Sequence, residues 1–102
     1  MDKYYFKALR LLNAAASIPE GKTLVVVLAR NDESKKILNV IAPMMDMFSF
    51  ATWVGRVRTR VVRFILSDVE SLAVIKYDKI YIDDDVLITD DLRLQLSSGL
   101  RK

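Results

Sequence analysis

Apolar positions along this chain change their period several times, and each change marks an element. From Asp2 to Ser17 they recur at helical spacing: Tyr5, Leu9, Leu12 and Ala16 share one face, Lys3, Lys7, Arg10 and Asn13 the other, and Asp2 is the N-cap. The expected product is an amphipathic helix lying on a sheet. Pro19 and Gly21 in IPEGK then turn the chain. TLVVVLA, Thr23 to Ala29, is apolar without interruption and rich in β-branched residues, the pattern of a central strand covered on both faces.

Asn31 or Asp32 caps a second helix in which Ile37, Ile41, Met44 and Phe48 form an apolar stripe. Pro43 falls inside that stripe and removes a backbone hydrogen bond, which predicts a kink or a restart there. Gly55 ends this helix or opens the next strand. From Arg56 the chain alternates as RVRTRV and then becomes continuously apolar in VVRFIL. The change of phase near Val61 predicts a bulge, or a strand with one exposed half and one core half. SDVE, from Ser67, has the spacing of a capping box and opens a short helix at Asp68. LAVIKYDKIYID then reads as two short strands about a tight turn at Asp78-Lys79, with VLIT adding further strand. Thr89 or Asp90 caps a last short helix with Leu92 and Leu96 inward and Gly99 as its stop, although LRLQL also alternates like a strand.

Sliding the chain on itself brings TLVVVLARND over TRVVRFILSD, with identities at Thr23/Thr59, Val25/Val61, Val26/Val62 and Asp32/Asp68. The same offset lays the helical pattern of Tyr4 to Ser17 over Val40 to Trp53. An internal repeat, residues 2–34 and 38–70, would give two similar helix-strand motifs related by a pseudo-twofold axis. The expected fold class is therefore α+β with α/β character. Two such motifs pack as a two-layer single domain, followed by a C-terminal hairpin and a short helix.

Composition narrows the chemistry. The chain has 102 residues, 52% hydrophobic and 28% charged, which fits one globular domain. With no cysteine and no histidine, disulfides, thiolate nucleophiles, zinc fingers and imidazole acid-base catalysis are all removed. No cofactor is expected. Gln95 is the only glutamine, a mild sign of selection against thermolabile residues. Asn39, Pro43 and Asp46 interrupt the longest apolar stretch, so no transmembrane helix is expected. The charges in MDKYYFKALRLLN interrupt the apolar core a signal peptide needs, so a cytoplasmic location is expected.

Net charge is +3 but uneven: Arg56, Arg58, Arg60 and Arg63 form a basic segment, and Asp78, Asp83, Asp84, Asp85, Asp90 and Asp91, against Lys79 alone, an acidic one. Tyr81-Ile82-Asp83-Asp84 resembles the Tyr-x-Asp-Asp box of reverse transcriptases and related polymerase palms. That resemblance implies divalent cations held at Asp83 and Asp84 for phosphoryl transfer, with Asp68 as a candidate third carboxylate. The rest of the palm pattern is missing. An acidic turn between two strands, facing the arginines, explains the same residues. Alternate arginines of one strand, near Trp53, Tyr77 and Tyr81, would track a nucleic-acid backbone or else protect a strand edge. Met44, Met45, Met47, Phe48, Phe50 and Trp53 make an adaptable apolar cluster, of which Met44, Met45, Met47, Phe48 and Trp53 are expected to bind a protein partner.

In its size, its lack of cysteine and the paired segments TLVVVLARND and TRVVRFILSD, the chain resembles small proteins of filamentous viruses that infect hyperthermophilic archaea. The resemblance implies a virion-related or host-interacting role inside the host cell, and no reaction. The leading expectation is a non-enzymatic protein-interaction module that binds a peptide or protein in a groove between the two αβ motifs, or forms a homodimer through a sheet edge. Nucleic-acid binding by Arg56, Arg58, Arg60 and Arg63 is the alternative, and metal-dependent chemistry at Asp83 and Asp84 the remote one.

Overall fold

A computed structural model describes residues 3–29, 32–67 and 76–99. These form α1 (Lys3–Ala16), β1 (Thr23–Leu28), α2 (Asp32–Ile41), a single 3-10 turn (Ala42–Met44), β2 (Asp46–Ser49), β3 (Val54–Val57), β4 (Arg60–Leu66), β5 (Lys79–Ile82) and α3 (Asp90–Gly99). The strands make one mixed sheet in the order β2-β3-β4-β1-β5. The α+β class read from the sequence is the observed one.

The uninterrupted apolar strand is where it was expected. β1 lies inside the sheet, parallel to β4 on one side and β5 on the other, and Leu24 to Leu28 are all buried. Period-two geometry sends its side chains to two separate cores. Leu24, Val26 and Leu28 join Val62 and Phe64 under α1 and α2; Val25 and Val27 join Ile65 under α3 with Leu92 and Leu96. Each fully buried aliphatic side chain contributes about 1.5–3 kcal/mol, which is why this strand anchors the fold. The helices therefore divide between the two faces, α1 and α2 on one and α3 on the other, so the expected two layers gain a third.

Four expectations need correction. The buried line of α1 is Ala8, Leu11 and Ala15, with Tyr4 and Leu12 beside it, whereas Tyr5 and Ala16 are exposed. The helix is rolled about its axis relative to the expected face, which turns Lys7 toward the sheet. Second, α2 stops at Ile41: Pro43 does not kink it but sits in the 3-10 turn, where its missing N–H costs nothing. Met44 and Phe48 thus leave the helical stripe, and the chain enters β2. Third, Arg56 to Leu66 is two strands, joined by a two-residue turn at Arg58-Thr59 with Arg58 at φ 59°. The change of phase near Val61 marks this reversal. Fourth, the strand expected after Asp78-Lys79 is β5, whose partner among the described residues is β1, in parallel, from Leu24↔Lys79 to Val27↔Ile82. The capping box at Asp68 and the strand expected over residues 72–75 lie outside the described residues.

The internal repeat is not confirmed. Residues 40–53 include a helix end, a 3-10 turn, β2 and a loop, with no counterpart of α1. The two look-alike strands are direct parallel neighbours in which Thr23 pairs with Val61, so the matched residues Val25 and Val61 lie on the same face of the sheet, whereas a twofold axis between parallel neighbours would exchange the faces. Their likeness reflects a shared environment, because interior parallel strands select the same β-branched residues.

Candidate functional site

The β2–β3 arm builds a concave surface beside α2. The register shifts by one residue between Asp46↔Arg56 and Ser49↔Val54, and Met47 in this interval has φ 54°, the left-handed conformation typical of a bulge. Trp53, at φ 53°, closes the loop between the strands: its N–H donates to Ser49 O at 2.8 Å, and its own carbonyl accepts from Phe64 N at 2.9 Å. Gly55 admits the arm's underside, since a Cβ there would lie 2.9 Å from both Met45 Cε and Phe48 Cδ2. Phe48 packs beneath, against Phe64 at 6.0 Å and edge-on to Phe50 at 5.0 Å. Phe50 is left 57% exposed.

The result is a groove of about 280 Å³ between α2 and the arm, lined by Lys35, Leu38, Asn39, Phe50 and Trp53. The groove expected between two αβ motifs is instead between a helix and a hairpin. Of the five residues expected to bind protein, Trp53 alone is among those lining it. Met45 is core, Phe48 supports Phe50 from below, and Met44 and Met47 are exposed elsewhere, Met47 at 81%. Phe50 belongs to the expected apolar cluster without having been assigned to binding, and the α2 residues were missed. Their signal was present: Lys35, Leu38 and Asn39 follow the i, i+3, i+4 spacing of a second helical face.

The acidic segment sits at the carboxyl end of β5 and faces α1. Lys7 Nζ donates to Asp83 Oδ2 at 3.1 Å and to Asp85 Oδ2 at 3.2 Å, and Arg10 Nη1 approaches Asp84 Oδ2 at 3.5 Å. Asp83 is buried, its backbone N–H donating to Val27 O and its carbonyl accepting from Val86 N. Burial by itself would lower the Lys7 ammonium's pKa, but hydrogen bonds and charge from Asp83 and Asp85 outweigh it and the pKa is raised. Nearby, Lys3 Nζ bonds Glu33 Oε1 at 2.7 Å. Among the described residues no group of three acidic side chains is placed to hold a metal ion.

The expected pairing of these aspartates with the arginines does not occur, because the two groups occupy opposite ends of the parallel strands. Arg60, at the amino end of β4, donates through Nε to Ile18 O at 2.7 Å and pairs through Nη1 with Glu20 at 2.9 Å. Arg58 approaches the same carboxylate at 4.0 Å. Glu20 is held below the usual carboxylate range, first by the Thr59 hydroxyl, then by the Thr59 N–H and the two arginines. Arg58 and Arg60 thus tie the β3–β4 turn to the loop after α1. Arg56 and Arg63 stay exposed on the sheet face.

Gly21-Lys22-Thr23 at this end has the closing residues of a phosphate-binding loop. That loop leads from a strand into a helix, whereas here the segment leads from α1 into β1, so it does not cradle a phosphate.

Fold and surfaces together define an α+β domain with a parallel three-strand centre and an antiparallel arm that shapes a small aromatic groove. Comparison with protein-family models, with curated proteins and with solved structures yields no match. No helix among the described residues is long and apolar enough to cross a membrane.

Proposed function

We propose that this protein is a non-enzymatic interaction module whose groove between α2 and the β2–β3 arm receives an apolar side chain of a protein or peptide partner. The observation that carries this reading is Phe50, more than half exposed yet fixed edge-on to Phe48, beside a half-buried Trp53 in the left-handed region. An aromatic pair held in place this way offers apolar area at little further entropic cost, as binding hot spots do. Among the described residues Lys35 is the only charged one lining the groove. It favours a partner with a carboxylate next to its apolar anchor.

The sole tryptophan of the chain lies at the site, so its emission reports occupancy directly. Selection from a displayed peptide library should enrich sequences with an acidic residue beside a large apolar one, and titration with them should shift Trp53 emission. Phe50→Ala and Leu38→Asp should abolish both effects. Selection without enrichment, or enriched peptides that bind Leu38→Asp as tightly as the wild type, would refute the proposal.

A second reading draws on Asp83. It ends β5 beside β1, where the chain places β4 on one side of β1 and β5 on the other, and open α/β sheets bind ligands at the carboxyl ends of strands at such a switch. An apolar strand closing in an aspartate is also how many nucleotide-hydrolysing proteins hold magnesium, an ion that needs only one or two carboxylates when phosphates supply the rest. Under this reading Asp83 and Asp84 hold the cation, and Lys7 turns from Asp83 to a phosphate oxygen. Calorimetry with magnesium and a nucleoside triphosphate, on the wild type and Asp84→Asn, decides it: no binding heat for the wild type ends the idea.

A further inference from the structure

Strand order gives Arg56 and Arg63 a meaning that their sequence spacing did not. Val54 pairs with Arg63 and Arg56 with Val61, so these four side chains share one face, and the two arginines are diagonal neighbours across β3 and β4. Diagonal positions lie about 7–8 Å apart. Neither strand is an edge: β2 covers β3, and β1 covers β4. Protection of an exposed edge therefore does not account for either residue. On the β1 side the same face is core, since Arg63 follows Val25 in register and Ile65 follows Val27. The alternation that puts valine and isoleucine under α3 puts arginine where α3 does not reach.

The two guanidiniums, like that of Arg93, also lack a carboxylate partner among the described residues. Lys3, Lys7, Arg10, Arg58 and Arg60 each face a carboxylate within 4.0 Å. Arg56 and Arg63 are exposed and, among the described residues, pair with none. Asp46 stands across from Arg56, but its carboxylate accepts from Arg58 N at 3.4 Å. Two like charges on adjacent strands repel, a small cost that an anion lying across both would reverse. Half-buried Val54 and Val61 lie beside the two arginines on the same face.

We infer that the Arg56–Arg63 face is a contact surface for the phosphate backbone of a nucleic acid. Arginine suits this task better than lysine, because each planar fork engages a phosphate through two donors. Among the described residues no aromatic side chain shares this face of β3 and β4, so the contact follows the backbone and does not read bases. Binding is independent of sequence and falls with salt. The four-arginine site expected from sequence narrows to two, Arg58 and Arg60 being engaged by Glu20.

Fluorescence anisotropy with a labelled oligothymidylate, at about 50 and about 200 mM salt, tests this. The wild type should bind at low salt, and Arg56→Gln/Arg63→Gln should weaken binding about tenfold or more. Each phosphate contact on a single strand contributes about 0.7 to the logarithmic salt slope, so losing two should flatten it by about 1.4. Lys22→Gln/Lys36→Gln, which removes the same charge elsewhere, should leave both values unchanged. Both changed positions of the test variant are exposed, and an unaltered melting curve would show that its fold is intact. No binding at low salt, equal weakening in the control, or binding to polyglutamate in place of the oligonucleotide would overturn the inference.

Discussion

Removing the Lys7 ammonium leaves two carboxylates without their shared partner, one of them buried. In Asp83 the side chain is 3% exposed and in Lys7 16%, so water cannot replace the lost contact without a local opening of the turn after β5. Breaking a buried pair from one side costs about 3–5 kcal/mol, and because Asp85 and part of Lys7 reach solvent the lower end applies. Lys7→Ala should therefore lose about 3 kcal/mol, which in a domain of this size is a fall in Tm of about 15 °C. Lys3→Ala provides the comparison: its pair with Glu33 is 69% and 42% exposed and is worth at most about 0.5 kcal/mol. Urea titrations at pH 7 on wild type, Lys7→Ala, Asp83→Asn and the double variant close a thermodynamic cycle. A coupling energy of about 2 kcal/mol is expected. If Lys7→Ala costs no more than Lys3→Ala, or the two single changes simply add, the pair does not join α1 to β5 and the reasoning fails.

Other outcomes follow from the same geometry. Arg58→Gly should stabilise the protein by up to about 1 kcal/mol, since φ 59° strains any residue with a Cβ and the 4.0 Å contact with Glu20 is exposed; a lower Tm would contradict this. Gly55→Ala should cost about 1–3 kcal/mol by denaturant titration, because the new methyl meets Met45 Cε and Phe48 Cδ2 at 2.9 Å and the Phe48 ring is held between Phe50 and Phe64. Stability should fall at both ends of the pH range. Burial raises the Tyr77 pKa, and carboxylate contacts that outweigh burial raise that of Lys7, so both contributions are intact below the unfolded values and are lost as pH rises past about 10. Glu20, lowered first by the Thr59 hydroxyl, and Glu33, lowered first by Lys3, contribute above their unfolded values, and that stability is lost as pH falls below about 4.5. Thermal melts across pH 3 to 11, taken with Lys7→Ala and Glu20→Gln, would show which limb each group controls, and a flat profile would contradict the assignment.

Local pattern alone determined the elements whose chemistry is local. TLVVVLA is a strand buried on both faces because nothing polar interrupts it, and α3 begins with the Thr89 hydroxyl accepting from Leu92 N and buries Leu92 and Leu96 because cap and spacing agree. Tertiary structure decided whatever depended on a partner distant in sequence. Periodicity left the roll of α1 free by part of a turn, and Lys7 is drawn inward by carboxylates that follow it by some 76 residues. Met44 and Phe48 fit a helical stripe equally well as a turn and a strand, and Pro43 together with packing on Gly55 chose the strand. Alternating arginines have one meaning in a single strand and another across a hairpin. The sequence placed the charges, but only the strand order, with β3 and β4 inside the sheet and Glu20 beside their turn, determined which arginines are engaged within the fold and which remain free to meet another molecule.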